Sequence, residues 1–500
     1  MPKFLGTTTL LDHAYINVSS AELTLDGQVT DGAGFFTLNK VGGSVLNLNS
    51  TLNDWQGGLV ITGGTVLFGA RGGDAIYSPG NTFNPNSLAT AGTGSIIVNN
   101  GSAIRFNDAT NLSAGQTAWV IGSSSAAVAL IDIRTDRTID DYNIRSIHSG
   151  ALAIGSGGTG TGAAIGLFSE VLDMSRFGDG TWGLSASQDT VYTADTLGVG
   201  VGDQYRFFGN FGGNFIITGR NVLTGTVSLS VGRSLQSLGA AASNTGAIVR
   251  LLADQDYTGD TILYRTAIRG AHGARLEVRG DLATGRIENY GRFELNGNGR
   301  LTNDLGQQVN EYYARPGSSL RLDYDISGAG FLFPGGAADG ANYSGMANKW
   351  QDDLEMFLNG SQLNLVNASA VQTVEQIGSI RYAGGSEVYL ERRSTDGQPI
   401  LIVNGPLTRV DLATLGIRIN VDNELGGLGM ITPGVGSGVR FKFSDASFAP
   451  QRGVVADGSA AGTVINMVAP QFVEQRQMFF VDYNPDNIYG FTVQQGKSVN

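Results

Sequence analysis

Residues 57–69 read GGLVITGGTVLFG. Two short apolar runs, Leu59–Val60–Ile61 and Val66–Leu67–Phe68, are each led in by a glycine pair or its neighbour. Glycine pairs can cradle a phosphate, make a hairpin turn, or form the corner of a repeating coil. The first reading points to a nucleotide enzyme and the last to a solenoid. The apolar runs are three residues long, too short for a helix and right for strands bounded by turns. Gly57–Gly58 and Gly63–Gly64 then supply backbone freedom where a side chain would clash. The stretch reads as strand, corner, strand.

The rest of the chain is written the same way. ARLEVRG alternates Leu276 and Val278 with Arg275, Glu277 and Arg279. GRFELNG alternates Phe293 and Leu295 with Arg292, Glu294 and Asn296. SLRLDYD alternates Leu320, Leu322 and Tyr324 with Arg321, Asp323 and Asp325. Period-2 alternation predicts strands with one face buried and one wet. Gly, Asn, Asp and Ser bracket these strands, as turns require. Helical signals are scarce.

Composition narrows the class. The chain has 500 residues and 74 glycines, about twice the usual ~7% share. There is no Gly-X-Y period, which excludes collagen. Charged residues make up 15% and hydrophobic ones 41%, too apolar for a disordered linker. The net charge of −12, without a basic cluster, argues against nucleic-acid binding. Cysteine is absent, which removes disulfides, thiolate metal sites and cysteine nucleophiles. MPKFLGTTTLL lacks the apolar core of a signal peptide, and no run approaches the ~20 residues of a membrane helix. The last residues, FFVDYNPDNIYGFTVQQGKSVN, do not show the amphipathic strands of a membrane barrel. If the protein is exported, this sequence is expected to be a mature or truncated portion of it.

A diffuse repeat centres on the opening stretch. LNDWQGGLVITGGTVLFG begins at Leu52, and ADQDYTGDTILYRTAIRGAHGARLEVRG begins at Ala253. Placing Trp55 on Tyr257 places Gly57 on Gly259 and Val60 on Ile262. A weaker copy, NKWQDDLEMFLNGSQLNLV, places Trp350 on Trp55 and Leu354 on Leu59, with Asp352 and Asp353 where the glycines stood. Met346, Trp350, Leu354 and Phe357 also fall at helical spacing, so a helix is the alternative there.

These residues carry a family likeness. LNKVGGSVLNLNSTLNDWQGGLVITGGTVLFG resembles the autotransporter-associated β-strand repeat, through Leu38, Lys40, Gly42, Leu46, Leu48, Asn53, Trp55, Gly57, Gly58, Val60, Gly64 and Leu67. The second copy keeps Tyr257, Thr258 and Gly259 but has Asp260 in place of the second glycine. The resemblance implies a right-handed parallel β-helix of the kind found in passenger regions of long secreted bacterial surface proteins. It implies no activity. Such regions make stalks, adhesins and fibres.

Candidate chemistry is thin. GSGGTG, starting at Gly155, fits G-x-G-x-x-G, but no convincing helix follows and the motif is expected by chance in so glycine-rich a chain. His13, His148 and His272 have no metal-binding spacing. DIRTDRTIDDYNIR gathers Asp132, Asp136, Asp140 and Asp141 among Arg134 and Arg137. Those four aspartates are weak calcium candidates or a sugar-cleaving carboxylate set. Mixed charge on alternating positions more simply reads as a solvated strand face over Ile131, Ile133 and Ile139. Asp352 and Asp353, expected in a turn, are a second weak calcium candidate. Trp55, Trp182, Trp350 and Tyr257 could stack on sugars, but equivalent corner positions in the repeat argue for packing first.

The sequence therefore predicts an all-β, elongated β-solenoid with looped insertions. It would run as one continuous rod over residues 1–500, whole or as a segment of a longer protein, with a less regular insertion near 150–220. At ~20 residues per turn and ~4.8 Å of rise, it would hold about 25 turns over somewhat more than 100 Å. The expected role is a structural subunit of an extracellular bacterial fibre, stalk or surface layer that self-associates through its ends or flanks, with no catalytic residues, no cofactor and no membrane-spanning segment. A surface adhesin binding glycans or proteins is the alternative, and a polysaccharide-cleaving enzyme is third.

Overall fold

A computed structural model describes residues 2–68, 90–99, 102–106, 116–121, 129–134, 144–146, 150–155, 166–177, 180–186, 189–208, 214–232, 247–265, 274–301, 309–324, 349–367, 372–392, 398–421, 440–448, 452–456, 464–468, 472–474, 479–484 and 490–493. They form an all-β fold of long parallel ladders, as a β-solenoid requires. The chain divides into two compact units. The first comprises Met1–Leu223, Val227–Arg250 and Tyr264–Ala274; the second comprises Thr224–Thr226, Leu251–Leu263 and Arg275–Asn500.

In the first unit one long ladder runs through Lys3–Phe4, Leu23–Leu25, Val45–Leu48, Gly64–Phe68, Ser102–Phe106, Ala129–Arg134, Gly150–Gly155, Gly183–Ala186, Gln204–Phe207 and Ser228–Val231. A 6-stranded flank ladder holds Ala14–Asn17, Leu38–Val41, Leu59–Ile61, Ile96–Asn99, Ala118–Ile121 and Ile144–Ser146. Over residues 150–220, Gly166–Phe168, Thr190–Tyr192 and Asn214–Ile217 form a further parallel ladder.

In the second unit an aromatic ladder holds Thr261–Leu263, Arg286–Asn289, Glu311–Ala314, Met356–Asn359, Ile380–Ala383 and Leu407–Arg409. A charged ladder holds Arg275–Val278, Arg292–Asn296, Ser319–Asp323, Gln362–Val366, Gly385–Arg392 and Thr414–Val421. A third ladder holds Gln372–Ile377, Gln398–Val403 and Arg440–Phe443. At the far end of this unit two of the three ladders are joined, while the aromatic ladder ends on Leu407–Arg409. Phe472–Glu474 adds to Thr414–Val421 in parallel, then Phe479–Asn484 and Gly490–Val493 continue antiparallel and reach Arg440–Phe443. The terminal edges of two ladders are thereby joined to each other.

The register shows why these sequences stack. Leu38, Leu59 and Ile96 occupy one inward row, and Leu276, Phe293, Leu320 and Leu363 another, all fully buried. Each rung adds its apolar side chains to a column already present, so burial grows turn by turn. Coil length is set by what the corners hold. Leu23 pairs with Leu46, Leu46 with Val66, and Ile287 with Tyr312, which is 20 to 25 residues per coil. Tyr312 pairs with Met356, a far longer coil. Corners and insertions thus consume the chain faster than ~20 residues per turn, and about 25 turns is too many.

The opening stretch is strand, corner, strand: Leu59–Ile61 in the flank ladder and Gly64–Phe68 in the long ladder. Gly58 has φ +89° and a Cβ there would lie 2.4 Å from the Ser95 carbonyl oxygen. Gly64 has φ +70° and its Cβ would lie 2.2 Å from the Ser44 carbonyl oxygen. Both need glycine on two counts, left-handed backbone and contact with the adjacent coil. At the third copy the chain turns at Asp352 and Asp353 and then enters the strand Met356–Asn359, so the helical alternative is not taken up.

Candidate functional site

The aromatic corners come first, because the repeat singled them out. Trp55, Tyr257 and Trp350 are all fully buried. Each ring hydrogen-bonds to its own corner. Trp55 Nε1 donates to the Gly58 carbonyl at 2.9 Å, and Trp350 Nε1 to the Leu354 carbonyl at 3.4 Å. Tyr257 Oη pairs with Thr261 Oγ1 at 2.7 Å, and that hydroxyl pairs with Thr284 Oγ1 at 2.8 Å. Burial pushes the Tyr257 phenol far up, so it stays protonated. A carboxylate from an adjacent coil completes two of these corners. Asp31 Oδ2 accepts from Gln56 N at 2.8 Å, and Glu375 Oε1 accepts from Trp350 N at 2.8 Å. Trp182 is also buried. All four aromatics are packing groups, with no ring face open to a sugar.

Two lysines sit inside the coils. Lys40 lies on an inward row of the flank ladder, and its Nζ donates to the Val41, Gly42 and Gly63 carbonyls at 2.9, 2.8 and 2.9 Å. Gly63 belongs to the next coil, so the ammonium ties two corners together. Burial pulls its pKa down to about 8. Lys349 repeats the device: Nζ donates to the Gly297 and Gly299 carbonyls and lies 4.7 Å from the Tyr324 ring centroid. Glu375 beside it accepts from the Tyr324 hydroxyl and from Lys349 N at 3.3 Å. Burial drives the Lys349 pKa down and the Glu375 pKa up. The likeness to the repeat contained Lys40, but its tie to Gly63, 23 residues on, and the Lys349–Glu375–Tyr324 cluster, whose members lie 25 to 51 residues apart, had no signal in local spacing.

The charged ladder overturns one expectation. The carboxylates of its polar rows are not wet. Glu277 is 1% exposed and Glu294 0%, while Asp323 is also buried. The register stacks Arg275 on Arg292 and Glu277 on Glu294. Arg275 reaches Glu294 at 2.6 Å and Glu277 at 3.4 Å, Arg279 binds Glu277 at 2.7 Å, and Arg292 also binds Glu294. Arg321 binds Asp323 at 2.8 Å and Glu391 at 3.4 Å. Burial works against the Arg321 charge, but Asp323 and Glu391 more than offset it and hold its pKa above the usual value. Rungs ~4.8 Å apart let Arg275 and Arg321 each span two carboxylates, so that Glu294 lies between the stacked Arg275 and Arg292.

The outward row of the aromatic ladder is more open. Glu288, Tyr313, Phe357 and Arg381 are in register and half-buried. Tyr313 meets Phe357 edge-on at 5.9 Å, and Arg381 lies 4.4 Å over the Phe357 ring. Arg315 binds Glu288 at 2.6 Å and lies over the Tyr290 and Tyr313 rings. Burial raises the Glu288 pKa, yet the Tyr290 hydroxyl and Arg315 outweigh it and hold the carboxyl below its ordinary value.

The sequence candidates are scattered. Asp132 lies on the strand Ala129–Arg134, in register with Arg105, which fits strand patterning. Asp136, Asp140 and Asp141 lie outside the described residues, as do His148, His272 and residues 156–160 of the glycine motif. His13 is exposed and accepts from Thr37 N at 3.0 Å. Asp352 and Asp353 are adjacent in an exposed turn, where burial and then the Asp353 charge raise the Asp352 pKa. Among the described residues no three of His, Asp or Glu converge to hold a metal ion. Among them, too, no helix is long and apolar enough to cross a membrane.

Comparison with known protein families, curated proteins and solved structures finds no match to this chain.

Proposed function

We propose that the chain is a structural module of an extracellular bacterial fibre, stalk or surface layer that associates with copies of itself. The observation that carries this reading is the use made of polar groups. The charged rows, the corner carboxylates and the core lysines are bonded rung to rung, where an enzyme would hold such groups toward a substrate. Glu277 and Glu294, stacked in register on neighbouring rungs, are sealed from solvent. The likeness of residues 38–67 to the autotransporter-associated repeat, with the absence of cysteine, supports an extracellular setting.

Electron microscopy and sedimentation of the purified chain test the reading. Ordered assemblies that grow with concentration are expected, and a chain that stays monomeric throughout overturns it. One observation favours a second reading, a glycan-binding adhesin: the half-open Tyr313–Phe357–Arg381 row combines rings with charged hydrogen-bonding groups. A glycan array separates the two, since silence there removes the adhesin and leaves the structural module.

A further inference from the structure

The first rung of the first unit differs from the rungs stacked on it. It holds three strands, Lys3–Phe4, Thr8–Thr9 and Ala14–Asn17. Among the described residues each is the last strand of its ladder, paired on one side only. Ala14 N and Val18 N donate to the second rung, to the Thr37 and Val41 carbonyls at 3.0 Å each. Thr8 N and Leu10 N do the same, to the Gln28 and Thr30 carbonyls at 2.7 Å. In a parallel ladder, alternate residues turn their N–H and C=O groups to opposite sides. The backbone groups of Thr9, Tyr15 and Asn17 therefore face away from the second rung, as a strand edge able to pair.

The core runs out at the same rung. Phe4 is in register with Leu25, and Leu25 with Leu48. Leu48 is 0% exposed, Leu25 5% and Phe4 58%. Ala14 and Ile16 stand in register with Leu38 and Lys40. Leu38 and Lys40 are fully buried, whereas Ala14 and Ile16 are half-buried. These inward columns thus end on side chains with one side uncovered. Leu5, Leu11 and Tyr15, on the same rung, are 73%, 85% and 73% exposed.

The chemistry of this end says what fits it. A row of N–H and C=O groups along a strand is matched by another strand, a pattern that neither a lipid surface nor a sugar offers. Three such edges around one open core need three strands that turn the same corners. The far end of the second unit is no match, since two of its three ladders are joined and only Leu407–Arg409 ends a ladder there. The first rung of a second copy is a match. Turned by a two-fold axis, it sets three edges against three and covers the columns of both copies. Charge does not oppose the contact, because residues 1–20 hold one lysine and one aspartate and carry none of the chain's −12. We propose that two copies meet first rung to first rung, paired antiparallel about a two-fold axis at Tyr15. Tyr15 then lies opposite Tyr15 of the other copy and Ala14 opposite Ile16, which keeps inward residues facing inward. This inference rests on the self-association proposed above and names its surface.

The test uses the full chain in sedimentation velocity over a range of concentrations. Thr9→Pro with Tyr15→Pro removes two N–H groups that face the open side and none that bonds the second rung. It should weaken association at least about tenfold. Circular dichroism reads whether this variant keeps its strands. Tyr15→Cys tests the contact without the prolines, because the chain has no cysteine of its own. Pairing about Tyr15 brings the two Cα atoms to about 5.5 Å, within reach of a disulfide. Mild oxidation should convert Tyr15→Cys to covalent dimers well before Leu412→Cys, whose site is 88% exposed in the second unit. A folded proline variant that associates like the parent chain overturns the contact and leaves self-association standing. So does an associating Tyr15→Cys chain that oxidises no faster than Leu412→Cys. A parent chain that stays monomeric overturns both. If that monomer binds a synthetic peptide of residues 23–30, the open rung is assigned to a strand of another protein instead.

Discussion

At the scale of single residues, the corners make the sharpest demands. Gly64 and Gly43 lie in one pair of neighbouring coils and differ in what surrounds them. Gly64 combines positive φ with a backbone oxygen 2.2 Å from its would-be Cβ, whereas Gly43 has nothing within 4 Å. Gly64→Ala should cost upward of about 2 kcal/mol, and Gly43→Ala should be within about 0.5 kcal/mol of neutral, read as denaturant midpoints. Trp55→Ala should cost about 3–5 kcal/mol, because it empties a fully buried site and removes one of the two donors to the Gly58 carbonyl. Lys40 gives a pH signature. Its folded pKa, about 8, lies below the ordinary 10.5, so between those values the unfolded chain holds more protons. Stability therefore rises with pH across that window. Lys40→Met should remove that rise, so the parent chain gains on the variant between pH 7 and 10 in paired melts.

At the scale of elements, the charged ladder separates buried from exposed ion pairs. Glu294 is sealed between Arg275 and Arg292, while Asp260 and Arg286 are 41% and 42% exposed. Glu294→Ala should cost about 1–3 kcal/mol by leaving two half-buried guanidinium groups without the carboxylate they share. Asp260→Ala should cost less than about 1 kcal/mol. The same ladder marks the limit of what sequence shows. Alternation identified the strands around Leu276, Phe293 and Leu320 and the inward rows they fill. It could not show that the polar rows are covered, because a wet row and a stacked ion-pair row share one period. The glycine pairs of residues 57–69 were readable because positive φ and close approach each demand glycine. The Glu375 cluster was not, since nothing near Lys349 in the sequence announces a carboxylate one coil away. The Trp350 segment was ambiguous because aromatic, leucine and phenylalanine spacings fit a helix; pairing of Met356–Asn359 with its neighbours on both sides decides for a strand.

At the scale of the molecule, the fold class follows from columns of matched side chains, and the proposed role follows from how little polar chemistry is left over. Coil length was underestimated because the sequence does not announce how many residues a corner absorbs. If the chain is a structural module, it should resist protease over the paired strands, read by mass spectrometry of early fragments. Early cleavage within the paired rungs would argue against that role.

The caged lysines have a use at the bench. Lys40 and Lys349 have their amines turned inward onto backbone carbonyls, while Lys3 sits at the surface with its side chain 54% exposed. An amine-reactive tag should reach Lys3 in the native protein and reach the other two only after their own coils have opened. Because Lys40 lies in the first unit and Lys349 in the second, the order in which they become tagged reports which unit comes apart first.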